Sequence, residues 1–151
     1  MKIDYKNNNI VVFIKKDNTD FKDYDKLEDY FINLFTKLKK ITNKDMSGLY
    51  LLNVYIDKYY GSVVEIIEED DPYTYYLDDQ IDMKVNIINI DFLYEIDYYD
   101  INKDIFDIYK CKNKIYIKPK KQISNKEFIN LIENSRIIYD TKNIFLTSKK
   151  V

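Results

Sequence analysis

The chain has no histidine and no tryptophan, and only one cysteine, one arginine, two glycines and two prolines among 151 residues. Without histidine there is no Ser-His triad, and both the commonest general base and the commonest metal ligand are missing. A lone Cys111 excludes an intrachain disulfide and any zinc site of the Cys/His type, and points to a reducing compartment. Its place inside an alternating hairpin reads as a small buried hydrophobe and not as a reactive thiol. Arg136 is the only arginine, which leaves little for bidentate recognition of phosphate or guanine, and a net charge of −2 gives no basic footprint for nucleic acid. No apolar run approaches the ~20 residues that cross a bilayer, and the first residues, MKIDYKNNN, are polar where a signal peptide is apolar. The expected location is the cytoplasm, with no membrane partner.

What is abundant is Ile, Asn, Lys, Asp, Tyr and Phe, the set that AT-rich codons favour, so the sixteen tyrosines read first as genome composition. A tyrosine-rich surface that stacks RNA bases is the functional alternative, and it lacks basic partners. Apolar residues make up 46% of the chain, enough for a real core. The length suits a single domain over 1–151; the alternative is two lobes, 1–67 and 81–151, joined by the acidic segment 68–80.

The two glycines, Gly48 and Gly61, bracket one apolar run, LYLLNVYI followed by DKYY. That run and SVVEII after Gly61 are β-branched and aromatic, with no helical stripe, so they read as a hairpin whose loop ends on a glycine at positive φ. A phosphate-cradling loop needs glycines clustered at a strand–helix junction with a lysine and a Ser or Thr, and these two glycines are not so clustered.

Before the hairpin, Ile3 and Tyr5 alternate with charges, NNN makes a turn and IVVFI returns as a buried strand. Leu27, Tyr30, Phe31, Leu34, Phe35, Leu38 and Ile41 then form the stripe of an amphipathic helix over about 25–41, with Asp25 and Glu28 as an acidic capping box. After the hairpin, Ile81, Met83, Val85 and Ile87 alternate with polar residues as a half-buried strand. FLYEI is a further strand and IYKCKNKIYIKP a compact hairpin, with Tyr109 and Cys111 facing Ile115 and Ile117 across a turn at Asn113. Ser124 and Glu127 form a capping box, and Ile123 and Phe128 a hydrophobic staple, for a second helix over 124–136. IIYD and IFLTSKKV supply one or two closing strands. The order β-β-α-β-β, then β-(β)-β-β-α-β, gives an α+β fold of antiparallel hairpins packed by two principal helices, and it excludes regular βαβ alternation.

Segment 68–80, EEDDPYTYYLDDQ, carries six carboxylates and no cation. Its spacing is not that of an EF-hand, and no glycine is present to turn a cation loop. We expect no metal, no cofactor and no catalytic residue here. The segment reads as solvated or as a docking surface, and its candidate partner-binding residues are Asp70, Asp71, Tyr73, Tyr75, Tyr76, Asp78 and Asp79. Tyr59, Tyr60, Tyr98 and Tyr99 are further aromatic candidates, with packing at the core edge as the alternative role. The basic clusters KPKK at 118–121 and Lys149–Lys150 flank apolar strands, where lysines guard edges against unwanted pairing.

The run MKID with IVVFI, a helix containing YFINLFTKL, and then GLYLLNVYIDKYYGSVVEI resembles the N-terminal domain of the MecA family, adaptors that bring proteins to a Clp-type AAA+ unfoldase. FLYEIDYYDI, IYKCKNKIYI, a helix and the terminal SKKV are similar to that family's C-terminal pattern, with the family's acidic linker reduced to EEDDPYTYYLDD. The resemblance implies target binding through the N-terminal half and unfoldase docking through the C-terminal half. The functional expectation is therefore a non-enzymatic protein-interaction module, with an adaptor for a Clp-type protease as its specific form. The alternatives are a small regulatory or mobile-element protein that covers one partner's site, and, third, a nucleic-acid-binding protein.

Overall fold

The computed structural model describes residues 2–6, 9–16, 23–69, 81–97 and 102–150. The fold is α+β, as the patterning predicts. The chain divides into two compact units, Met1–Val54 with Gly61–Ile88, and Tyr55–Tyr60 with Asn89–Val151. The second boundary lies at 88–89, downstream of the acidic segment in which the sequence suggested a joint. Among the described residues no helix is long and apolar enough to cross a membrane.

The first unit is built on a sheet of order β1-β2-β4-β3-β5, from β1 (Lys2–Lys6), β2 (Asn9–Lys15), β3 (Gly48–Asp57), β4 (Gly61–Glu68) and β5 (Ile81–Asn89). β1–β2 and β2–β4 are antiparallel, with Val12 opposite Val64 and Ile10 opposite Ile66. Asn86 reaches Asn53 by a side-chain hydrogen bond, and the Ile90 N–H donates to the Ile56 carbonyl, so contacts step in the same direction and β5 runs parallel to β3. Asn53 also donates to Glu65, which puts both on one face. By the two-residue period, Tyr50, Leu52 and Val54 lie on the other face with Ile10, Val12, Val64 and Ile66, and all seven are buried.

Helix α1 (Tyr24–Thr42) covers that face. Leu27, Phe31, Leu34, Phe35 and Leu38 are at most 5% exposed, and Phe35 packs on Tyr50 with ring centroids 4.9 Å apart. Burying each such side chain contributes about 1.5–3 kcal/mol. Two expectations change. Ile41 lies in the last turn, beyond Leu38, and is 62% exposed. The N-cap is Asp23, whose Oδ1 accepts from the Asp25 and Lys26 amides, because the helix starts one residue before the expected acidic pair.

Both glycines take φ +128°. Gly61 opens β4 opposite Lys15, and a Cβ there would fall onto the backbone of Ile14 and Lys16 on the neighbouring strand. The expected positive φ is present, and close strand approach adds a second reason for glycine.

The second unit holds a sheet of order β10-β7-β8-β6-β9, from β6 (Leu93–Ile96), β7 (Phe106–Cys111), β8 (Lys114–Pro119), β9 (Arg136–Ile138) and β10 (Lys149–Lys150). The β7–β8 turn has Lys112 and Asn113 at φ 48° and 66°, the two-residue turn with positive φ at both centres. It makes Cys111 and Lys114 the closing pair, so Tyr109 faces Tyr116 and Ile108 faces Ile117. The register is therefore one residue away from the expected one, and Tyr109 and Cys111 lie on the face opposite Ile115 and Ile117. Cys111 is half-buried, with Sγ 3.6 Å from the Thr147 hydroxyl.

Helix α2 (Asn125–Glu133) starts on the expected cap, the Ser124 hydroxyl accepting from the Glu127 amide at 3.2 Å. It covers the Ile108–Ile117–Tyr94 face, with Leu131 buried and Phe128 edge-on to Tyr94. It ends earlier than expected. Asn134 donates back to the Asn130 carbonyl and the Ser135 hydroxyl to that of Leu131, taking acceptors that would otherwise sit over a continuing helix, and Arg136 is already in β9. The predicted strand IFLT is instead a short helix, α3 (Lys142–Thr147), with only Lys149–Lys150 extended. Tertiary contact overrides β propensity there. Phe145 stands edge-on to Tyr109 at 5.3 Å, and the buried Thr141 donates to the Asp91 carbonyl just before the helix.

Candidate functional site

In the first unit, α1 lies over the central strands and leaves the edge strand β5 half covered. Between them runs a groove of about 450 Å³. Its walls are Leu27, Phe31 and Ile32 on α1 and Ile81, Met83, Val85 and Ile87 on β5, with Glu28 and Asp82 at its borders. Ile32 is 41% exposed, and no residue of β5 is fully buried. The expected alternation holds from Ile81 to Asn86 and then shifts, leaving Ile87 exposed and Ile88 half-buried. Among the described residues β5 thus combines a sheet edge with an apolar row that α1 does not cover.

In the second unit, the face opposite α2 carries a row that crosses all five strands: Arg136, Glu95, Tyr116, Tyr109 and Lys150. Each carboxylate on this face serves two cations. Glu95 pairs with Lys114 at 3.4 Å and Arg136 at 3.8 Å, and Asp107 with Lys150 at 3.3 Å and Lys120 at 4.0 Å. The two basic clusters seen in the sequence, 118–121 and 149–150, therefore meet on one sheet. Lys118 donates to Asp91 at 3.2 Å; burial works against its charge, but Asp91 outweighs it and the ammonium is held above its ordinary range. Burial, and then the Glu95 charge, push the Tyr116 hydroxyl up. Residues 102–151 hold twelve Lys and Arg against five Asp and Glu, an asymmetry hidden by the near-neutral total. The rings themselves are not presented for stacking, since Tyr116 is 7% exposed and Tyr109 abuts Phe145.

The candidates Asp70, Asp71, Tyr73, Tyr75, Tyr76, Asp78 and Asp79 lie outside the described residues, as do Tyr98 and Tyr99. Of the same acidic run, Glu68 is exposed and 3.8 Å from Lys44, and the Glu69 amide donates to the Leu49 carbonyl. Tyr60 is a core residue, 5% exposed and packed on Phe92 and Phe128, so it is not a surface anchor. Tyr59 is half-buried beneath the Lys58 ammonium. Among the described residues no group of three carboxylate or thiol side chains converges on a point that could hold a metal ion.

The groove was missed because β5 reads correctly as a half-buried strand without saying what covers it. The cross-sheet row was missed because it depends on the register of the β7–β8 turn. No protein-family model, no curated protein and no solved structure matches the chain.

Proposed function

We propose that this chain is a non-enzymatic protein-interaction module that takes an extended strand along β5, the groove beside α1 receiving that strand's apolar side chains. The observation that carries the reading is β5 itself: a nine-residue edge strand whose apolar row stays half-exposed. Strand addition of this kind draws affinity from main-chain hydrogen bonds and specificity from every second side chain. The resemblance to MecA-type adaptors extends the reading to delivery of targets to a Clp-type unfoldase, in which simultaneous binding raises the target's effective concentration at the unfoldase.

A second reading, nucleic-acid binding, is favoured by the cation excess of residues 102–151. It stands behind the first because the cations on the sheet face are already shared with Glu95 and Asp107, Tyr116 is buried and Tyr109 is engaged by Phe145.

The test uses the tagged chain as bait for native lysate supplemented with the untagged chain. Parent and Val85→Arg baits are compared, each with and without nuclease. Protein capture that survives nuclease and is lost in Val85→Arg supports the module. Capture that ignores Val85→Arg, or that disappears with nuclease, overturns it.

A further inference from the structure

We infer that the strand taken along β5 is β5 of a second copy of this chain, the two sheets joining across a two-fold axis at Met83. This rests on the reading of β5 as the contact element and names its partner.

The observation is that Ile81–Val85 is self-complementary when run against itself. With Met83 opposite Met83 in an antiparallel pair, Ile81 meets Val85 and Asp82 meets Lys84, and the two-fold makes each of these pairs twice. Ile81, Met83 and Val85 share the groove face, and by the two-residue period of β5 the side chains of both opposite-charge pairs fall on the other. Neighbouring registers lose this match. An axis on Lys84 sets two lysines against each other, and an axis on Val85 sets Asp82 against Ile88.

The remaining geometry agrees. A two-fold normal to the joined sheet keeps both α1 helices on the same side. The two grooves then merge into one channel, floored by the paired apolar rows and walled by helices that each bring the exposed Ile32. β1, the other edge of this sheet, is exposed at every residue except Ile3 and brings no such row. Pairing also occupies the backbone groups of Ile81–Val85, a stretch of edge strand that has no proline. One consequence is that the assembly presents the second unit's cation-rich face twice.

The experiment is light scattering and sedimentation of the full chain across micromolar concentrations, with charge swaps at the two exposed positions. A species of twice 18.4 kDa is expected. Asp82→Lys and Lys84→Asp should each weaken association by about tenfold, since each turns two attractive pairs into repulsive ones, and the double swap should restore it to within about threefold. In a Cys111→Ser background, Met83→Cys should cross-link the two copies under oxidation and Val85→Cys should not, because Val85 lies opposite Ile81. A chain that stays monomeric throughout, a dimer indifferent to the swaps, or equal cross-linking at 83 and 85 overturns the inference. If the chain is monomeric while Val85→Arg still abolishes capture of another protein, the second copy is wrong and the interaction module stands. If it is monomeric and capture is blind to Val85→Arg, both fall.

Discussion

The carboxylate of Asp57 accepts the backbone N–H of Phe92 at 2.9 Å, in the buried interior of the second unit and across thirty-five residues of chain. Its other oxygen accepts from the amides of Tyr59 and Tyr60, at 2.9 and 2.8 Å. One side chain thus closes the loop after β3 and holds the entry to β6.

Asp57→Ala should therefore be among the most damaging single changes outside the apolar core. It leaves buried backbone donors without partners, and the expected loss is roughly 3 kcal/mol. Urea denaturation of the variant measures it. A loss under about 1 kcal/mol would mean that water replaces the carboxylate at little cost.

Gly61 and Gly48 share one φ but not one environment, and this separates two effects. Gly48→Ala meets only the Tyr50 ring, at 4.0 Å and without a clash, so backbone strain alone remains, about 1 kcal/mol. Gly61→Ala adds a collision with the β2 backbone, and a loss of at least about 2–3 kcal/mol is expected. Equal melting temperatures for the two variants would contradict the close approach of β2 and β4.

Along α1, Leu34→Asp should unfold the first unit by placing an unpaired charge in the core, whereas Ile41→Asp should leave the melting temperature within a degree or two. Circular dichroism during heating distinguishes them. Similar behaviour of the two would show that the stripe is not a core face.

Alkaline pH should weaken the fold through its buried tyrosines. Burial, and then the Glu68 and Asp45 carboxylates, push the Tyr50 hydroxyl up to about 12, and burial raises Tyr60 and Tyr94 as well. These groups hold their protons in the folded state more tightly than in the unfolded chain, where tyrosine titrates near 10. Stability is thus complete below about pH 10 and falls as pH rises towards 12. Tyr50→Phe should flatten that fall, read as denaturation midpoints between pH 9 and about 12. An unchanged slope would exclude Tyr50 as a contributor.

Tyr94 supports a prediction of opposite sign. Its hydroxyl is buried and finds no hydrogen-bond partner among the described residues. Tyr94→Phe should keep the ring contacts with Phe128 and gain about 1 kcal/mol, seen as a higher melting temperature. A loss of similar size would reveal a partner for the hydroxyl.

The sequence alone determined what depends on local geometry. The period of Leu27 to Leu38 is set by the pitch of a helix, the Ser124 cap by the four unpaired amides at a helix start, and the positive φ of Gly61 by the tightness of a hairpin exit. The α+β class follows from the same local signals taken in order. Tertiary structure alone decided the rest. IFLT is helical because Phe145 has the Tyr109 ring to pack on, a contact thirty-six residues away in sequence. The row from Arg136 to Lys150 exists only once five strands are in register, and a turn reading one residue different would have placed Tyr109 on the side of Ile115 and Ile117. The exposure of β5 depends on where α1 comes to rest across the sheet. A strand's own two-residue period states that one face is apolar, but what covers that face is set by elements distant along the chain.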